Sequence, residues 1–374
     1  MAGTMATKFD VFVVGGGPAG LAAAIAARKT GLKVVVADCF EPPVDKACGE
    51  GLLPATLQAL KRLDVRLNSC DGYPFYGIRF ADHQSVVDAS FGGLSALGVR
   101  RITLHARMLE SAQSCGVKFL WRTEVTRLLD RAVIAGGRLI RTRWIVGADG
   151  ANSRVRGWIG LSPYSFYLRR YGFRQHYRLR PWSDHVEVYW EDHGQIYVTP
   201  VSNSEVCLAS VSTSPFTRVA DLLSAFPELL ARLDGATPTS TERGAVTAMH
   251  RLKRVYRDNV VLIGDASGGV DAITGDGLCL SFHQAFALAN ALKTNDLHFY
   301  HKAHRRLSRI PTWLGFHLLS MDGRPWLRRR VLSTLSKNPQ LFGRLLSAHI
   351  GEASLSDCVK AGAVLGMRLL ASSA

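Results

Sequence analysis

The N-terminal part of the chain contains a strand, a glycine-rich turn, a helix and a second strand in that order. These segments cover residues 9–14, 15–20, 21–28 and 33–37. Both strands are short runs of mainly β-branched and aromatic side chains, a pattern typical of strands buried in a parallel sheet. A helix that joins two parallel strands completes a βαβ unit. This unit predicts an α/β fold in which helices cover a parallel sheet.

The turn inside this unit has the spacing GxGxxG, formed by Gly15, Gly17 and Gly20. One glycine permits the sharp change of direction, the next lets the backbone approach a pyrophosphate, and the third allows close helix–strand packing. The phosphates then meet free N–H groups and the positive end of the helix dipole. Asp38 ends the second strand, where a carboxylate can bind a ribose hydroxyl. We therefore predict a dinucleotide site formed by Gly15, Gly17, Pro18, Ala19, Gly20 and Asp38.

The chain carries a large excess of positive charge. Its 374 residues include 46 Lys and Arg against 30 Asp and Glu, which gives a formal net charge of +16. Twelve of these basic residues and three of the acidic ones lie between Leu297 and Ala374. Such a charge favours anionic ligands and surfaces. We expect no nucleic-acid partner, because no nucleic-acid-binding motif accompanies the charge.

The seven cysteines are odd in number, and no two have the spacing of a CxxC pair or a metal-binding knuckle. Free thiols in a reducing compartment explain this usage, so we expect no metal site. Residues 1–8 lack the segments of a signal peptide, and the chain has no run of about 18 apolar residues that would form a transmembrane helix. The expected location is the cytoplasm.

The remaining patterns suggest that a second domain interrupts the first. Further α/β patterns are helices at 54–63, 102–115 and 278–292 and strands at 117–121, 141–146 and 260–263. Residues 73–91 and 165–215 instead show the short runs of an antiparallel sheet. We predict a discontinuous nucleotide-binding domain at 1–73, 94–160 and 250–296, a substrate-binding β-sheet domain at 74–93 and 161–249, and a helical C-terminal region at 297–374.

Two further motifs follow the N-terminal turn at wide spacing. Residues 147–156 form the segment GADGANSRVR, and Gly264-Asp265-Ala266 follows a buried strand. In order and separation, the three motifs resemble the fingerprints of the para-hydroxybenzoate-hydroxylase-like flavoproteins, a superfamily of aromatic hydroxylases, geranylgeranyl reductases and flavin-dependent halogenases. The resemblance implies FAD as cofactor. It also implies an interrupted Rossmann-type FAD-binding domain with an inserted, mainly antiparallel β substrate domain and a helical C-terminal region.

The resemblance further implies roles for the matching positions. The N-terminal glycines and Asp38 would hold the ADP half of FAD. Gly264 and Asp265 would meet the pyrophosphate and ribityl part. Arg101 would lie beside the phosphates, and the backbone of Val125 would face adenine.

Asp149 and the helix start that follows Gly275 each have two interpretations. In the resembled family Asp149 would contact both FAD and NAD(P)H, the implied electron donor, but aspartate is also favoured at turns and helix caps. Gly275, Gly277 and Leu278 begin a helix whose N-terminus would stabilise negative charge on the reduced flavin. The alternative is an ordinary glycine-rich helix start. We predict the flavin role, because Gly264 lies just upstream as the family expects.

Residues 45–54, DKACGEGLLP, resemble the KxCGxGLxP segment of geranylgeranyl reductases, in which the cysteine faces the substrate cavity, and the GESLLP segment of halogenases. Residues 194–200 stand where reductases carry YxWxFP and halogenases carry WxWxIP, and both halogenase tryptophans are missing. No lysine occurs between Lys61 and Lys118, where halogenases place the one that captures hypohalous acid. Halogenation is therefore disfavoured.

Cys48 and Tyr197 are the candidate catalytic residues, both as cavity positions. The alternative for Cys48 is a small buried apolar side chain. Tyr197 and Trp190 belong to an aromatic-rich stretch that suits either a pocket wall or the core of a sheet. The other aromatic candidates are Tyr164, Phe166, Tyr167, Tyr171, Phe173, Trp182 and Tyr189. The candidate acid–base groups are His176, His185 and His193.

Three functions fit these motifs. The first is an NAD(P)H-dependent monooxygenase that hydroxylates an aromatic or lipophilic substrate, placed narrowly first because hydroxylases are the most varied branch of the superfamily. The second is a reductase of C=C bonds in a prenyl or lipid substrate, favoured by residues 48–54 and by the helix start at Asn338-Pro339. The third is a non-catalytic flavin sensor that binds an acidic partner.

The basic C-terminal helices offer a further partner. Arg328, Arg329 and Arg330 lie among leucines and a valine in an amphipathic pattern that suits peripheral contact with an anionic membrane. The alternative is a solvated helix face that covers the substrate domain. The sequence leaves the oligomeric state open.

Overall fold

The computed structural model describes residues 9–349 and 355–371, with the side chains of residues 165–168, 348, 349, 355, 358 and 371 outside the description. The strands are Phe9–Val14 (β1), Val34–Ala37 (β2), Gly51–Leu52 (β3), Tyr73–Phe75 (β4), Gly77–Ala81 (β5), Val86–Ser90 (β6), Ala96–Gly98 (β7), Lys118–Leu120 (β8), Val125–Leu129 (β9), Ala132–Ala135 (β10), Arg138–Gly147 (β11), Pro163–Arg178 (β12), His185–Glu191 (β13), Gly194–Ser202 (β14), Glu205–Ser212 (β15), Thr237–Pro238 (β16), Arg243–Leu252 (β17), Tyr256–Arg257 (β18) and Val260–Leu262 (β19). The α-helices are Pro18–Lys29 (α1), Pro54–Arg62 (α2), Arg101–Ser114 (α3), Arg154–Trp158 (α4), Val219–Leu223 (α5), Pro227–Arg232 (α6), Gly277–Thr294 (α7), Leu297–Asp322 (α8), Pro325–Ser336 (α9), Pro339–His349 (α10) and Leu355–Ala371 (α11).

A largely parallel sheet forms the first layer of the molecule. Its strand order is β18-β19-β11-β1-β2-β8, and all neighbours run parallel except β18 and β19. Val11, Phe12 and Val13 point to alternate faces of the sheet and are all fully buried, so both faces are covered. Helix α1 packs between α3 and α7, which explains why it is apolar nearly all round. The predicted βαβ unit and the α/β fold class are confirmed.

A second, mainly antiparallel sheet has the strand order β16-β12-β15-β14-β13-β5-β6, with β17 paired to β12. The pair β13 and β5 is parallel. A parallel pair needs a long connection, which the chain between these two strands provides. Helices α5 and α6 share an apolar cluster with the sheet residues Phe173, Ile196 and Leu208. Helices α9, α10 and α11 share a second cluster with Phe75 and Phe91. The C-terminal helices therefore cover the part of this sheet that β5 and β6 complete.

The C-terminal prolines do not all separate helices. Pro325 and Pro339 begin α9 and α10, as expected of proline in the first helical turn, but Pro311 lies inside the 26-residue helix α8. At Gly315 an added Cβ would lie only 3.3 Å from Thr274, so the helix packs closely on the Ala272–Thr274 turn. This tertiary packing holds the helix through the proline. Among the described residues no helix combines the length and apolarity that crossing a membrane requires.

The basic run at the start of α9 differs from its prediction. Arg328 is fully buried: its Nη2 donates to the Asp192 carboxylate and its Nη1 to the Glu191 carbonyl oxygen at 3.3 Å. Arg330 donates to the carbonyl of Leu369. The interpretation of residues 328–330 as one exposed basic face is therefore wrong, because these guanidinium groups hold the helix onto the sheet and onto α11.

Helix α8 is anchored to the turn that follows β19. The Tyr300 hydroxyl donates to the Leu262 carbonyl at 2.9 Å. The Ser267 hydroxyl donates to the Gly264 carbonyl at 2.8 Å and lies 2.9 Å from His304 Nε2, which must then be the protonated nitrogen. Burial lowers the pKa of His304 to about 3, so the imidazole is neutral in the folded protein.

We predict that this buried histidine makes the fold sensitive to mild acid. Below its ordinary pKa of 6.5, and down to about 3, the unfolded chain binds a proton at His304 that the folded chain does not. Stability therefore falls as pH falls through this window, by about 2 kcal/mol at pH 5 relative to neutral pH. Urea denaturation across this range should show a flatter pH dependence for His304→Gln. The exposed His298→Gln should keep the parental slope, and equal slopes for the parent and His304→Gln would contradict the assignment.

Candidate functional site

A cavity of about 1280 Å³ runs between the two sheets and the C-terminal helices. One part is lined by the glycine turn after β1, and the middle by the Cys48 segment and the start of α7. The remaining part, which we call the aliphatic part, is lined mainly by aliphatic side chains of α9, α10 and α11, together with the aromatic rings of Phe80 and Phe342. Ligand pockets usually measure about 300–1,000 Å³, so this cavity has room for a dinucleotide and a second molecule.

The start of α1 presents an uncapped helix end to the cavity. Gly17 is the N-cap residue, Pro18 follows it, and no side chain caps the helix. A Cβ added at Gly17 would point into open space, whereas one at Gly20 would lie 1.9 Å from the Gly15 carbonyl oxygen. Gly15, Gly17, Pro18 and Ala19 line the cavity, and Gly20 lies behind them at the helix–strand contact. The space and the free N–H groups fit an anionic diphosphate.

Two side chains fix the conformation of this turn. Asp38, at the end of β2, accepts hydrogen bonds from Gly16 N at 2.6 Å and from Phe40 N at 2.9 Å, and it lines the same part of the cavity as Val125. His105 on α3 has its Nε2 2.9 Å from the Gly16 carbonyl oxygen. Burial lowers the pKa of His105, so a neutral ring donates this bond. His105 was not predicted, because its hydrogen-bond partner Gly16 lies 89 positions away in the sequence.

Arg101 begins α3 and lines the cavity. Its backbone N–H donates to Glu50 Oε1 at 2.9 Å, and its buried side-chain Nε has no hydrogen-bond partner in the described residues. A buried guanidinium nitrogen without a partner fits an anionic ligand at this place. The role of Arg101 beside the cofactor phosphates stays a prediction, with which this position in the cavity is compatible.

Glu50 links the Cys48 segment to the second sheet and was not predicted. It is a non-glycine residue in the left-handed region with φ of 60°, and its Oε2 accepts a bond from His176 Nε2 at 2.7 Å. His176 Nδ1 lies 3.2 Å from Arg174 Nη1 and 2.8 Å from the Ser240 hydroxyl oxygen. These contacts hold the segment on the floor of the cavity and offset the cost of the left-handed backbone.

The same cluster brings three metal-binding residue types together. Ligand atoms of Glu50, His176 and Cys207 lie within 4.8 Å of one another. Two facts argue against a metal ion here. The Arg174 guanidinium already lies 3.7 Å from Glu50 Oε1, and burial raises the pKa of the Cys207 thiol, so the sulfur stays protonated. We assign this cluster a structural role.

Cys48 lines the cavity and is half-buried. Its sulfur accepts a bond from Glu50 N at 3.4 Å, and its carbonyl oxygen lies 4.0 Å from Cys207 Sγ. The thiol therefore faces the cavity from a segment that the Glu50 cluster holds in place.

Asp149 and Asp265 reach the cavity from the ends of two parallel strands. Asp149 accepts bonds from the Ser153 hydroxyl at 2.6 Å and from Val155 N at 3.0 Å, so it orders the start of α4 while it lines the cavity. Asp265 is exposed on the turn after β19. Gly264 lies behind it, where a Cβ would come within 2.7 Å of Ala19 Cβ.

The second uncapped helix start belongs to α7. Gly275 has a left-handed φ of 67° and turns the chain into the helix, and Gly277 and Leu278 line the cavity. No side chain caps this helix. The helix end directs its free N–H groups at the cavity, as the resemblance expects for a helix facing the flavin.

A buried polar network forms part of the cavity wall and includes Asp271 from the turn that precedes α7. Tyr197 lines the cavity and donates its hydroxyl to Gln195 Oε1 at 2.7 Å. Arg170, fully buried, donates to Gln195 Oε1 at 3.0 Å and to Asp271 Oδ1 at 2.8 Å. Asp322, at the end of α8, accepts from Gln195 Nε2 at 3.1 Å. Burial raises the pKa of Tyr197, so its phenol is protonated in the folded protein.

The other aromatic and histidine candidates have mixed positions. Trp190 lines the cavity, and its Nε1 donates to Asp322 at 3.0 Å. The remaining described aromatic candidates lie outside the described lining of the cavity, as do the three histidine candidates. Phe166 and Tyr167 belong to the part of β12 whose side chains are not described. The acid–base role expected of a histidine therefore has no support in the placement of His176, His185 or His193.

The aliphatic part of the cavity was not predicted from the sequence. Its walls are apolar residues of strands and helices that are far apart in the chain. They include Phe80, Val186, Leu332, Leu335, Phe342 and Leu346. The amphipathic pattern around Arg328–Arg330 predicted an apolar face for α9, but not the cavity that this face helps to enclose.

The glycine turn, the second helix start and the unpaired Arg101 nitrogen together fit FAD. The family model described as "FAD binding domain" matches residues 8–295. The chain belongs to this family. The resemblance to the para-hydroxybenzoate-hydroxylase-like flavoproteins is thereby confirmed, and the protein is an FAD-dependent oxidoreductase.

Comparison with known proteins agrees with this family. The chain is 28% identical to the menaquinone reductase of Mycobacterium tuberculosis strain H37Rv over 316 residues, which cover 77% of each chain. It is 26% identical to digeranylgeranylglycerophospholipid reductase 1 of Methanopyrus kandleri over 296 residues, 72% of this chain and 76% of the relative.

Solved structures share the fold. A flavoprotein/dehydrogenase from Cytophaga hutchinsonii superimposes with a TM-score of 0.79 at 18% identity over 92% of both chains. The p-nitrophenol 4-monooxygenase of Pseudomonas putida DLL-E4 has a TM-score of 0.75 at 17% identity, over 93% of this chain and 98% of the monooxygenase.

We predict that Gly17→Val lowers FAD affinity without unfolding the protein. The new side chain would enter the open space that the diphosphate needs, and the φ of −70° at Gly17 is ordinary for valine. Fluorescence titration of the apoprotein should show at least a tenfold weaker Kd, about 1.4 kcal/mol. Thermal denaturation of the apoprotein should show little change.

Two further variants make this test specific. Gly157→Val, on α4 with equally open space at its Cβ and outside the described cavity lining, should keep the parental FAD affinity. Gly20→Val should instead destabilise the apoprotein, because its Cβ would overlap the Gly15 carbonyl. A folded Gly17→Val protein that binds FAD as tightly as the parent would refute the assigned diphosphate site.

Proposed function

We propose that the protein reduces carbon–carbon double bonds in the prenyl chain of a lipophilic substrate, with NAD(P)H as the electron donor for FAD. The observation that carries this proposal is the aliphatic part of the cavity, which continues from the start of α7 between α9, α10 and α11. A flexible apolar chain would fill this space, whereas a single aromatic ring would leave most of it empty. The similarity to the two reductases supports the same substrate class.

Reduction of a double bond requires a hydride and a proton. FAD, which the turn at Gly17, Arg101 and the helix start at Gly277 would hold, would supply the hydride when reduced, with a new C–H bond at one carbon. We infer that the Tyr197 hydroxyl supplies the proton to the other carbon, because it is protonated and lines the cavity. Burial, Asp271 and Asp322 disfavour the phenolate that this leaves and Arg170 favours it, so the phenolate regains a proton from solvent at once. The aliphatic walls orient the chain and exclude water.

Hydroxylation of a lipophilic substrate, the first prediction from the sequence, is the second candidate. It is favoured by the same apolar lining, since an oxygen-inserting flavoenzyme also needs water excluded from its site. The two reactions differ in their need for O2, which makes them separable by experiment.

We predict that the FAD-loaded protein saturates a geranylgeranyl-chain lipid with NADPH or NADH under strictly anaerobic conditions, with product followed by mass spectrometry. Tyr197→Phe should lower kcat by about 100-fold, as is usual for loss of a general acid. It should leave the rate of flavin reduction unchanged. Turnover that stops without O2 and yields a product heavier by one oxygen atom would support hydroxylation instead.

Tyr189→Phe is the matched control for this variant. Tyr189 lies in the same sheet, and its hydroxyl donates to Glu187 at 2.8 Å outside the described cavity lining. Its replacement should leave kcat within about twofold of the parent. Equal losses in both variants would contradict the proton-donor role of Tyr197.

We also predict that Gly362→Leu discriminates between substrates by chain length. Gly362 lines the cavity on α11, and its Cβ direction is open, so the new side chain would occupy space meant for the distal part of the chain. The kcat/KM for a geranylgeranyl-chain lipid should fall by at least tenfold, about 1.4 kcal/mol, with little change for a geranyl-chain analogue.

Gly366→Leu controls for the change in helix composition. Gly366 lies one turn further along α11, is exposed, and is equally open, but it lies outside the described cavity lining. It should behave as the parent with both substrates. An equal effect of Gly362→Leu on both chain lengths would argue against a chain-binding role for this part of the cavity.

A further inference from the structure

The outer face of α8 has a basic half and an aromatic half. Lys302, Arg306 and Arg309 lie on the same face as Trp313 and Phe316, at the spacing i, i+4, i+7, i+11 and i+14. All five are exposed, with 45% of Trp313 and 53% of Phe316 accessible to solvent. No acidic residue lies on this face of the fully described helix. Its one acid, Asp322, is directed inward to Trp190 and Gln195.

Helix α11 adds an apolar face. Val359, Ala363, Met367 and Leu370 lie on one side of the helix and are exposed. The exposed fractions of the three large side chains are 58% for Val359, 62% for Met367 and 76% for Leu370. Single exposed apolar residues are common, but a row of them along one helix indicates a surface that binds a partner.

These two faces meet at an opening of the cavity. Trp313 and His317 on α8 and Val359 and Ala363 on α11 are exposed to solvent and also line the cavity. They lie at the rim of its aliphatic part, which α9 and α10 complete. The cavity therefore opens through the surface that carries the exposed apolar residues.

We propose that this surface, the outer faces of α8 and α11, docks on an anionic lipid bilayer. Lys302, Arg306 and Arg309 would contact lipid phosphates, and Trp313 would occupy the interface, where tryptophan is favoured. Met367 and Leu370 would enter the boundary between headgroups and acyl chains. An acidic soluble protein would match the basic half but would leave this apolar row without a partner. The opening would then face the membrane, so that a lipophilic substrate enters without crossing water.

Docking itself is tested without turnover, whereas substrate entry rests on the proposed function. The holoprotein is mixed with sedimentable phosphatidylcholine vesicles that contain about a third phosphatidylglycerol, and with vesicles of phosphatidylcholine alone. We expect strong partition to the anionic vesicles and at least tenfold weaker partition to the neutral ones. The double variant Arg306→Glu/Arg309→Glu should lower anionic partition on the order of 100-fold, and Met367→Ser/Leu370→Ser should lower it at least tenfold.

Matched controls separate this surface from the general positive charge of the chain. Arg138→Glu/Arg141→Glu changes two exposed arginines of β11 on the opposite domain, and Phe216→Ser changes a highly exposed loop residue. Neither should alter partition by more than about twofold, with thermal denaturation showing that every variant is folded. The proposal is overturned if the parent does not bind anionic vesicles, or if the control pair lowers binding as much as the α8 pair.

A parallel assay keeps the two proposals distinguishable. With substrate dispersed in detergent, the surface variants should turn over at the parental rate, and with substrate embedded in anionic vesicles they should be slower. Vesicle binding without any double-bond reduction would refute the proposed function and leave docking standing. Reduction in detergent without vesicle binding would refute docking alone.

Discussion

The fully buried guanidinium of Arg170 contacts three parts of the chain that are far apart in the sequence. It pairs with Asp271 before α7, donates to Gln195 on β14, and lies 3.6 Å from Asp322 at the end of α8. A buried charge of this kind is stable only while its partners surround it, and removal of one partner typically costs about 3–5 kcal/mol. The relative positions of the flavin-facing loop, the Tyr197 strand and the C-terminal helices therefore depend on one another. The cavity has a defined shape because these three elements cannot shift separately.

The proposed anion site differs from the Arg170 network, because the N–H groups at two helix starts carry partial positive charge that no side-chain cap neutralises. The starts of α1 and α7 both lack side-chain caps, and both face the cavity. An uncapped helix start in water is ordinary, but one that faces an apolar cavity leaves N–H groups poorly solvated until an anion arrives. The Asp38 carboxylate and the neutral His105 ring fix the loop at α1 in advance. The site is therefore prepared for a diphosphate, and binding needs little rearrangement of the backbone.

The family, FAD and the glycine turn were predictable from the sequence because their signals are local. The glycine spacing, the strand before it and the acid after it all lie within residues 9–38, and each follows from backbone sterics or helix electrostatics. Signals that depend on distant contacts were missed. Glu50 was noted only as part of a resemblance. Its carboxylate accepts a bond from Arg101 N at the start of α3 and one from His176, which lies 126 positions after Glu50. The pattern around Arg328 indicated an exposed face, because the sequence does not show that Arg328 pairs with Asp192, which lies 136 positions earlier.

The part of the cavity that the sequence predicted lies within the family match, and the part that it did not predict lies largely outside that match. The family match ends at residue 295, whereas the aliphatic walls and the rim of the cavity come largely from α8–α11, which begin at Leu297. A family defined by its FAD-binding motifs therefore constrains the redox chemistry but leaves the substrate to a helical region outside that match. This region contacts the FAD-binding domain mainly through α8 and the Arg170 network. Substitutions in its apolar walls can therefore change the cavity volume without disturbing the glycine turn after β1. The substrate class must then be argued from the volume, lining and opening of the cavity, and our proposal of a long apolar substrate rests on these three properties.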